Sequence, residues 1–273
     1  MGTLYIVPTP IGNLEDITLR ALRILKEAAL IAAEDTRTSQ VLLDHYAITT
    51  PTTSYHEHNK LSKLEDILNT LASGDVALIS DAGTPGVSDP GYELIRAAVD
   101  GGYPVVPLPG ANAVITALVG SGFPSDAFVY IGFLPRKDKA RRDLLVELRN
   151  ERRTIVAYEN PYRVAATLAN IATVMGSQRM VCVAREISKK FEEFYRAPAG
   201  DAAARYADEA PKGEVTLVIG GMPEVDAQWD EPRVRDELLQ RLADGEKLSR
   251  AAKQIAQLSG WNKRDVYALA NEG

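Results

Sequence analysis

Ser80-Asp81-Ala82-Gly83-Thr84-Pro85-Gly86-Val87-Ser88-Asp89-Pro90-Gly91 follows the apolar run Val76-Ala77-Leu78-Ile79 and precedes a helical pattern. A loop of this composition at the carboxyl end of a strand is suited to a ligand. Its glycines let backbone approach closely, its prolines stiffen the path, and its hydroxyl and carboxylate side chains supply polar contacts. The expected ligand is a small polar cofactor.

Other strand-following loops are equally polar: residues 8–13, 34–37, 56–59, 109–113, 132–137, 158–163 and 185–189. Because ligands of open α/β sheets bind outside the carboxyl ends of strands, and because these loops come from both halves of the chain, a cleft between two domains is expected. Several chemistries are disfavoured. Pro8 and Pro10 remove backbone donors after the first strand, where a Gly-x-Gly-x-x-Gly turn would cradle a pyrophosphate, and no Gly-x-x-x-x-Gly-Lys-Ser/Thr occurs. His56 and His58 share one side of an extended segment while Glu57 points away, and only His45 remains to complete a set, so no metal is expected. The single cysteine, Cys182, sits in the apolar run Met180-Val181-Cys182-Val183-Ala184 and reads as a buried small hydrophobe.

The elements that must position these loops alternate. Short apolar runs at 4–7, 29–33, 52–56, 76–79 and 104–108 are separated by helical patterns, the first capped by Asp16 and others over 39–45, 60–71, 92–99 and 111–119. This predicts a mostly parallel, doubly wound sheet in an N-terminal α/β domain over residues 1–120. Gly120-Ser121-Gly122-Phe123-Pro124-Ser125 marks a hinge. A second α/β domain over 121–222 follows, with strands at 127–131, 154–157, 181–184, 192–195 and 215–219, and helices at 139–149, 162–174 and 201–208. The third and fourth of these strands leave no room for a crossover helix, so they should pair antiparallel and make the sheet mixed. After Gly220-Gly221-Met222-Pro223, residues 223–273 form a helical, helix-turn-helix-like tail, with Gly245 and Gly260 ending two of its helices.

The chain has 273 residues, 45% hydrophobic and 25% charged, and reads as an ordinary globular protein. No apolar run approaches the ~18 residues of a membrane span, and the first residues lack the basic-then-apolar pattern of a secretory leader, so a cytoplasmic location is expected. The net charge of −6 argues against indiscriminate nucleic-acid binding, yet residues 135–153 and 233–264 each carry eight basic against four acidic side chains. Such segments fit either solvated helix faces or a local footprint for backbone phosphates.

One set of motifs carries a resemblance. It comprises Leu4-Tyr5-Ile6-Val7-Pro8-Thr9-Pro10-Ile11-Gly12-Asn13-Leu14, Glu34-Asp35-Thr36-Arg37, the 80–91 loop, Pro109-Gly110-Ala111, Gly132-Phe133-Leu134-Pro135-Arg136-Lys137, Glu159-Asn160-Pro161-Tyr162-Arg163 and Ala184-Arg185-Glu186. In this order and spacing, up to about Gly221, the chain resembles the ribosomal RNA methyltransferases of the tetrapyrrole methylase superfamily. The resemblance implies S-adenosylmethionine-dependent 2′-O-methylation of a cytidine ribose in small-subunit ribosomal RNA, on naked RNA or the assembled subunit, by a homodimer with its cofactor in the interdomain cleft. Carried over by motif, the cofactor would meet Pro10, Ile11, Gly83, Thr84, Val87, Ala111 and Ala113 from the first domain. Leu134, Tyr158, Ala184 and Thr216 would come from the second.

In-line methyl transfer chiefly requires alignment of a ribose hydroxyl with the methyl carbon. The hydroxyl also needs a proton acceptor, for which Asp35, Glu186 and Lys189 are candidates, each with an ionic neighbour that could occupy it instead. Arg37, Arg136, Lys137 and Arg163 are candidates for RNA phosphates, since guanidinium forks match phosphate oxygens. Two other readings stay open: a methylase acting on a small tetrapyrrole-type substrate, and a non-catalytic RNA-binding protein acting through its tail.

Overall fold

The computed structural model describes residues 1–222 and 229–270. Pro223, assigned above to the second boundary turn, and tail residues 224–228 and 271–273 lie outside the described residues. Two five-stranded sheets fall in one unit, Met1–Arg149 with Arg153–Gly220, and three helices in a second, Asn150–Arg152 with Gly221–Gly273.

The first sheet contains β1 (Leu4–Ile6), β2 (Leu30–Ala33), β3 (Thr52–Ser54), β4 (Val76–Ile79) and β5 (Val105–Pro107), linked by helices α1 (Leu19–Glu27), α2 (Thr36–His45), α3 (Lys60–Leu71) and α4 (Tyr92–Asp100). The strand order is β3-β2-β4-β1-β5 and every pair is parallel. Leu4 stands beside Val76 on one side and Val105 on the other. β4 is buried along its whole length, as expected for an unbroken Val-Ala-Leu-Ile run covered on both faces. This is the doubly wound parallel sheet expected from the alternating pattern.

The starts of α1 and α2 differ from expectation, for local reasons. Asp16 does not cap α1; it closes a single 3-10 turn, Leu14–Asp16, and Thr18 accepts the Ala21 amide at 3.0 Å instead. Helix α2 begins three residues before the expected position 39, because Asp35 accepts the Arg37 amide at 2.8 Å and so caps it.

The second sheet contains β6 (Phe128–Phe133), β7 (Thr154–Glu159), β8 (Met180–Arg185), β9 (Glu193–Pro198) and β10 (Val215–Ile219) in the order β6-β7-β10-β8-β9. β6 and β7 are parallel, while β10 runs antiparallel to β7 and β8, and β8 to β9, giving the expected mixed sheet. Between the sheets in sequence lies α5 (Ala113–Ser121), capped by Asn112 and ended by Gly122 in the left-handed conformation. Helices α6 (Asp138–Glu147), α7 (Val164–Met175) and α8 (Ala199–Arg205) follow. Although α5 follows the last strand of the first sheet, its Val114, Ala117 and Leu118 pack with Val156, Cys182, Ala184 and Val218 of the second. The core on this face of the second sheet therefore includes α5. Cys182 lies within it, fully buried, and burial pushes its thiol up to about 11.

In the second unit, α9 (Glu231–Ala243), α10 (Leu248–Ser259) and α11 (Lys263–Leu269) bury Val234, Leu238, Ala251, Ala252, Ile255, Val266 and Leu269 together. Among the described residues no helix is long and apolar enough to cross a membrane.

Arg179 is buried and donates to the Arg149 carbonyl at 2.7 Å and the Gly220 carbonyl at 3.1 Å, the last residues of the two stretches that form the first unit. Arg179→Ala strands both acceptors. Denaturant unfolding should show a loss of about 1–3 kcal/mol.

Candidate functional site

The loops after β1 and β4 are joined by backbone. Thr9 and Gly83 exchange both amide-to-carbonyl hydrogen bonds at 2.9 Å, and the Thr9 hydroxyl donates to the Ser80 carbonyl at 3.0 Å. Gly83 sits at φ +80°, a left-handed conformation that favours glycine. The loop after β5 joins them: the Thr84 hydroxyl donates to the Ala111 carbonyl and the Asn112 amide to Thr84 Oγ1, both at 3.3 Å. Three strand ends of the first sheet thus present one fixed rim.

The second sheet supplies the opposite rim. Leu134 follows β6, its amide donating to the Tyr158 carbonyl at 3.2 Å. At the end of β7 the Glu159 carboxylate is 0% exposed, yet fully engaged. It accepts from the Asn160 amide at 2.6 Å and the Thr167 hydroxyl at 2.5 Å, and pairs with Arg163 at 2.5 Å. A buried acid so satisfied fixes the 160–163 turn. Ser88 and Tyr130 hydroxyls, 2.6 Å apart, link the rims directly.

Between the rims lies a cavity of about 790 Å³. Of the expected cofactor residues, Ile11, Gly83, Thr84, Val87, Ala113, Leu134, Tyr158 and Thr216 line it. Pro10 does not, although it directly precedes Ile11; Ala111 lines an adjoining cavity of about 350 Å³ that shares Ile11, Asn112 and Ile187. Ala184 is buried in β8 as the register partner of Thr216. Of the expected phosphate ligands, Arg136 and Arg163 line the cavity. Lys137 is exposed at the start of α6, and Arg37 is bound to Asp35 at 2.7 Å.

The three expected proton acceptors are outside the lining. Hydrogen bonds from Arg37 hold Asp35 down at about 2. Lys189 bridges Glu186 at 3.0 Å and Glu214 at 2.9 Å. Burial alone would lower the lysine, but its two carboxylate partners prevail and raise it; burial alone would raise Glu186, but the Glu214 amide and Lys189 bring it down. The Lys189 stem also covers Gly12, where a Cβ would approach its Cγ to 2.3 Å. Between these clamped residues, Ile187 is buried and forms part of the cavity wall.

Asp89 was not singled out from the sequence, although it closes the loop that was. It lines the cavity and is pushed up to about 7, first by burial and then by the Glu34 charge, with Asp81 adding to the effect and a hydrogen bond from Ser80 opposing it. Burial likewise raises Glu34, Asp81, Tyr130 and Tyr158. The raised acids Asp89, Glu34 and Asp81 sit on the first sheet's rim, and the second rim carries both signs, with Arg136 and Glu214 beside the Arg163–Glu159 pair. Among the described residues no three His, Cys, Asp or Glu side chains form a metal cluster. The arrangement can hold a cationic, partly apolar ligand and admit an anionic one beside it.

The profile of a family described as Tetrapyrrole (Corrin/Porphyrin) Methylases matches residues 3–203. A protein of Synechocystis sp. named "Ribosomal RNA small subunit methyltransferase I" is 46% identical, covering 100% of this chain and 98% of its own. Its namesake in Escherichia coli O157:H7 is 44% identical over 99% and 95%. Among solved structures, uroporphyrin-III C-methyltransferase of Thermus thermophilus complexed with S-adenosylhomocysteine superposes with a TM-score of 0.56 at 19% identity, covering 81% of this chain and 98% of that one. Diphthine synthase gives 0.60 at 14% identity, covering 80% and 90%. These structural likenesses establish the fold.

Folded Asp89 keeps its proton to about pH 7, whereas an ordinary aspartate loses it near 3.8. Between those values the folded state binds the extra proton, so stability should fall as pH rises from about 4 through about 7. Thermal melts across this window should show that slope, and Asp89→Asn should flatten it.

Proposed function

This chain belongs to the tetrapyrrole methylase family, and from that premise we propose that it methylates the ribose 2′-hydroxyl of a cytidine in small-subunit ribosomal RNA with S-adenosylmethionine as donor. The observation that carries the reading is the convergence of loops from both sheets on one 790 Å³ cavity, in a chain 46% identical over its whole length to a small-subunit ribosomal RNA methyltransferase.

The residues fit the cofactor. Ile11, Val87, Ala113 and Leu134 give it apolar walls, and Thr84, Asn112, Tyr158 and Thr216 give it polar atoms. The acidic rim of Asp89, Glu34 and Asp81 suits a cation. When bound, S-adenosylmethionine supplies a methyl group activated by a positively charged sulfur. The chain's own task is alignment and exclusion of water, which the backbone-joined rim and the buried Glu159 turn are rigid enough to perform. Arg136 holds RNA phosphate beside the cavity, while Arg163, paired with Glu159, shapes the turn next to it. Glu186 and Lys189, paired with each other and with Glu214, fix the turn that carries Ile187 on the wall, and Asp35 acts by capping α2.

A cytoplasmic homodimer completes the reading. Ile115 and Val119, one turn apart on α5, are both exposed and suited to face a second copy. A small tetrapyrrole-type substrate has no specific observation in its favour, because the likeness to uroporphyrin-III C-methyltransferase extends only to the fold, and neither does a non-catalytic RNA-binding role for the tail.

Purified protein given labelled cofactor and unmodified small ribosomal subunits should label a cytidine ribose, detected by nucleoside mass spectrometry. An intact protein that leaves the RNA unlabelled, or labels only a base, would overturn the proposal. If the ionised form of Asp89 is the one that binds the cationic cofactor, calorimetry should show affinity rising about tenfold between pH 6 and pH 8. Asp89→Asn should abolish that rise.

A further inference from the structure

Phe133 ends β6 with 61% of its surface exposed, although it is a large apolar side chain on the cavity wall. The strand register shifts between Tyr130 and Phe133, and Gly132 between them takes φ +66°. This irregularity turns Phe133 outward while the next residue, Leu134, is buried. The ring is held from behind. Tyr158 lies 5.2 Å from it, centroid to centroid, and is itself packed edge-on against Tyr130 at 5.5 Å. Phe133 is thus packed against Tyr158 with most of its surface open beside the cavity.

A second aromatic ring is carried by a turn that borders the same cavity. Tyr162 is 85% exposed in the Pro161–Arg163 turn, whose other members line the same cavity and whose shape is fixed by Glu159 and by Asn160, which accepts the Tyr162 amide at 3.0 Å. Arg136 and Lys137, three and four residues after Phe133, are exposed and have no ion pair among the described residues. Exposed rings beside uncommitted cations form a surface for single-stranded nucleic acid: unpaired bases stack on aromatic faces, and flanking phosphates meet the cations. Chemistry on a nucleotide in folded RNA also requires that nucleotide to leave its stack, and a waiting ring offsets the lost stacking.

We propose that Phe133 is the platform on which the base of the target nucleotide stacks as its ribose enters the cavity, with Tyr162 receiving a neighbouring base and Arg136 and Lys137 the phosphates between. This rests on the RNA methylation reading above and deepens it by naming the residues that select an unpaired segment.

The test uses the full-length protein, small ribosomal subunits and labelled S-adenosylmethionine as methyl donor, with S-adenosylhomocysteine as the ligand for the binding measurement. Wild-type protein must first label the RNA; its failure to do so would sink the methylation reading before the platform is judged. With activity established, Phe133→Ala should raise KM for the subunits about tenfold while the Kd for S-adenosylhomocysteine stays within about twofold. Phe133→Trp should restore KM, whereas Phe133→Leu, apolar but without a flat face, should not. Tyr162→Ala should raise KM in the same sense. A leucine variant that performs like wild type, an alanine variant with unchanged KM, or a parallel loss of cofactor affinity would each overturn the proposal, the last by assigning the ring to the cofactor. A change of oligomeric state in the alanine variant would overturn it in favour of a contact between copies.

Discussion

The paired backbone hydrogen bonds between Thr9 and Gly83 are the constraint on which the first rim depends. They extend the parallel pairing of β1 and β4 past the end of the sheet by one antiparallel bridge, where two loops would otherwise diverge. Because β1 and β4 are adjacent strands within the sheet, flanked by β5 and β2, the bridge inherits their rigidity. Ile11, Thr84 and, through its hydroxyl, the Ala111 carbonyl are then fixed relative to one another without any side chain having to hold them alone.

The second rim is fixed by a different device. Its strands are mixed in direction, so no row of parallel strand ends is available; one buried carboxylate, Glu159, gathers an amide, a hydroxyl and a guanidinium around the end of β7. The two rims also differ in charge. Asp89, Glu34 and Asp81 make one side acidic, while the other carries both signs, with Arg163 matched by the buried Glu159, and Arg136 and Glu214 beside them. A cation can therefore lie against the first rim, with the Arg136 guanidinium left to meet an anion beside it. A cavity of uniform potential would favour one at the expense of the other.

Much of this was readable from residue order. Polar loops after apolar runs located the rims, and the lack of room between 184 and 192 for a crossover helix identified the β8-β9 pair as antiparallel. What escaped was set by tertiary contacts. Thr18 and Asp16 are both capable N-caps, and only the 3-10 turn at Leu14–Asp16 decides between them. Asp89 looks like one polar residue among several until burial, the charge of Glu34 from the end of β2 and that of Asp81 in its own loop act on it. Ala184 was read at a motif position, yet it lies inside β8 as the partner of Thr216, which does reach the cavity. Phe133 ends an apolar strand and would ordinarily point inward; the register shift beside Gly132 reverses it. Lys189, read as a titrating group, is held between two carboxylates that favour its charge.

Helix α5 has a consequence for how the chain is made. Its Val114, Ala117 and Leu118 find their partners on β7, β8 and β10, strands synthesised after it. As the polypeptide emerges from the translating ribosome, the first sheet can form with its own helices, but α5 remains an apolar segment awaiting a surface until β10 appears some hundred residues later. During that interval the nascent chain exposes a helix that chaperones would recognise. Completion of the cleft is thus tied to the arrival of its last strand.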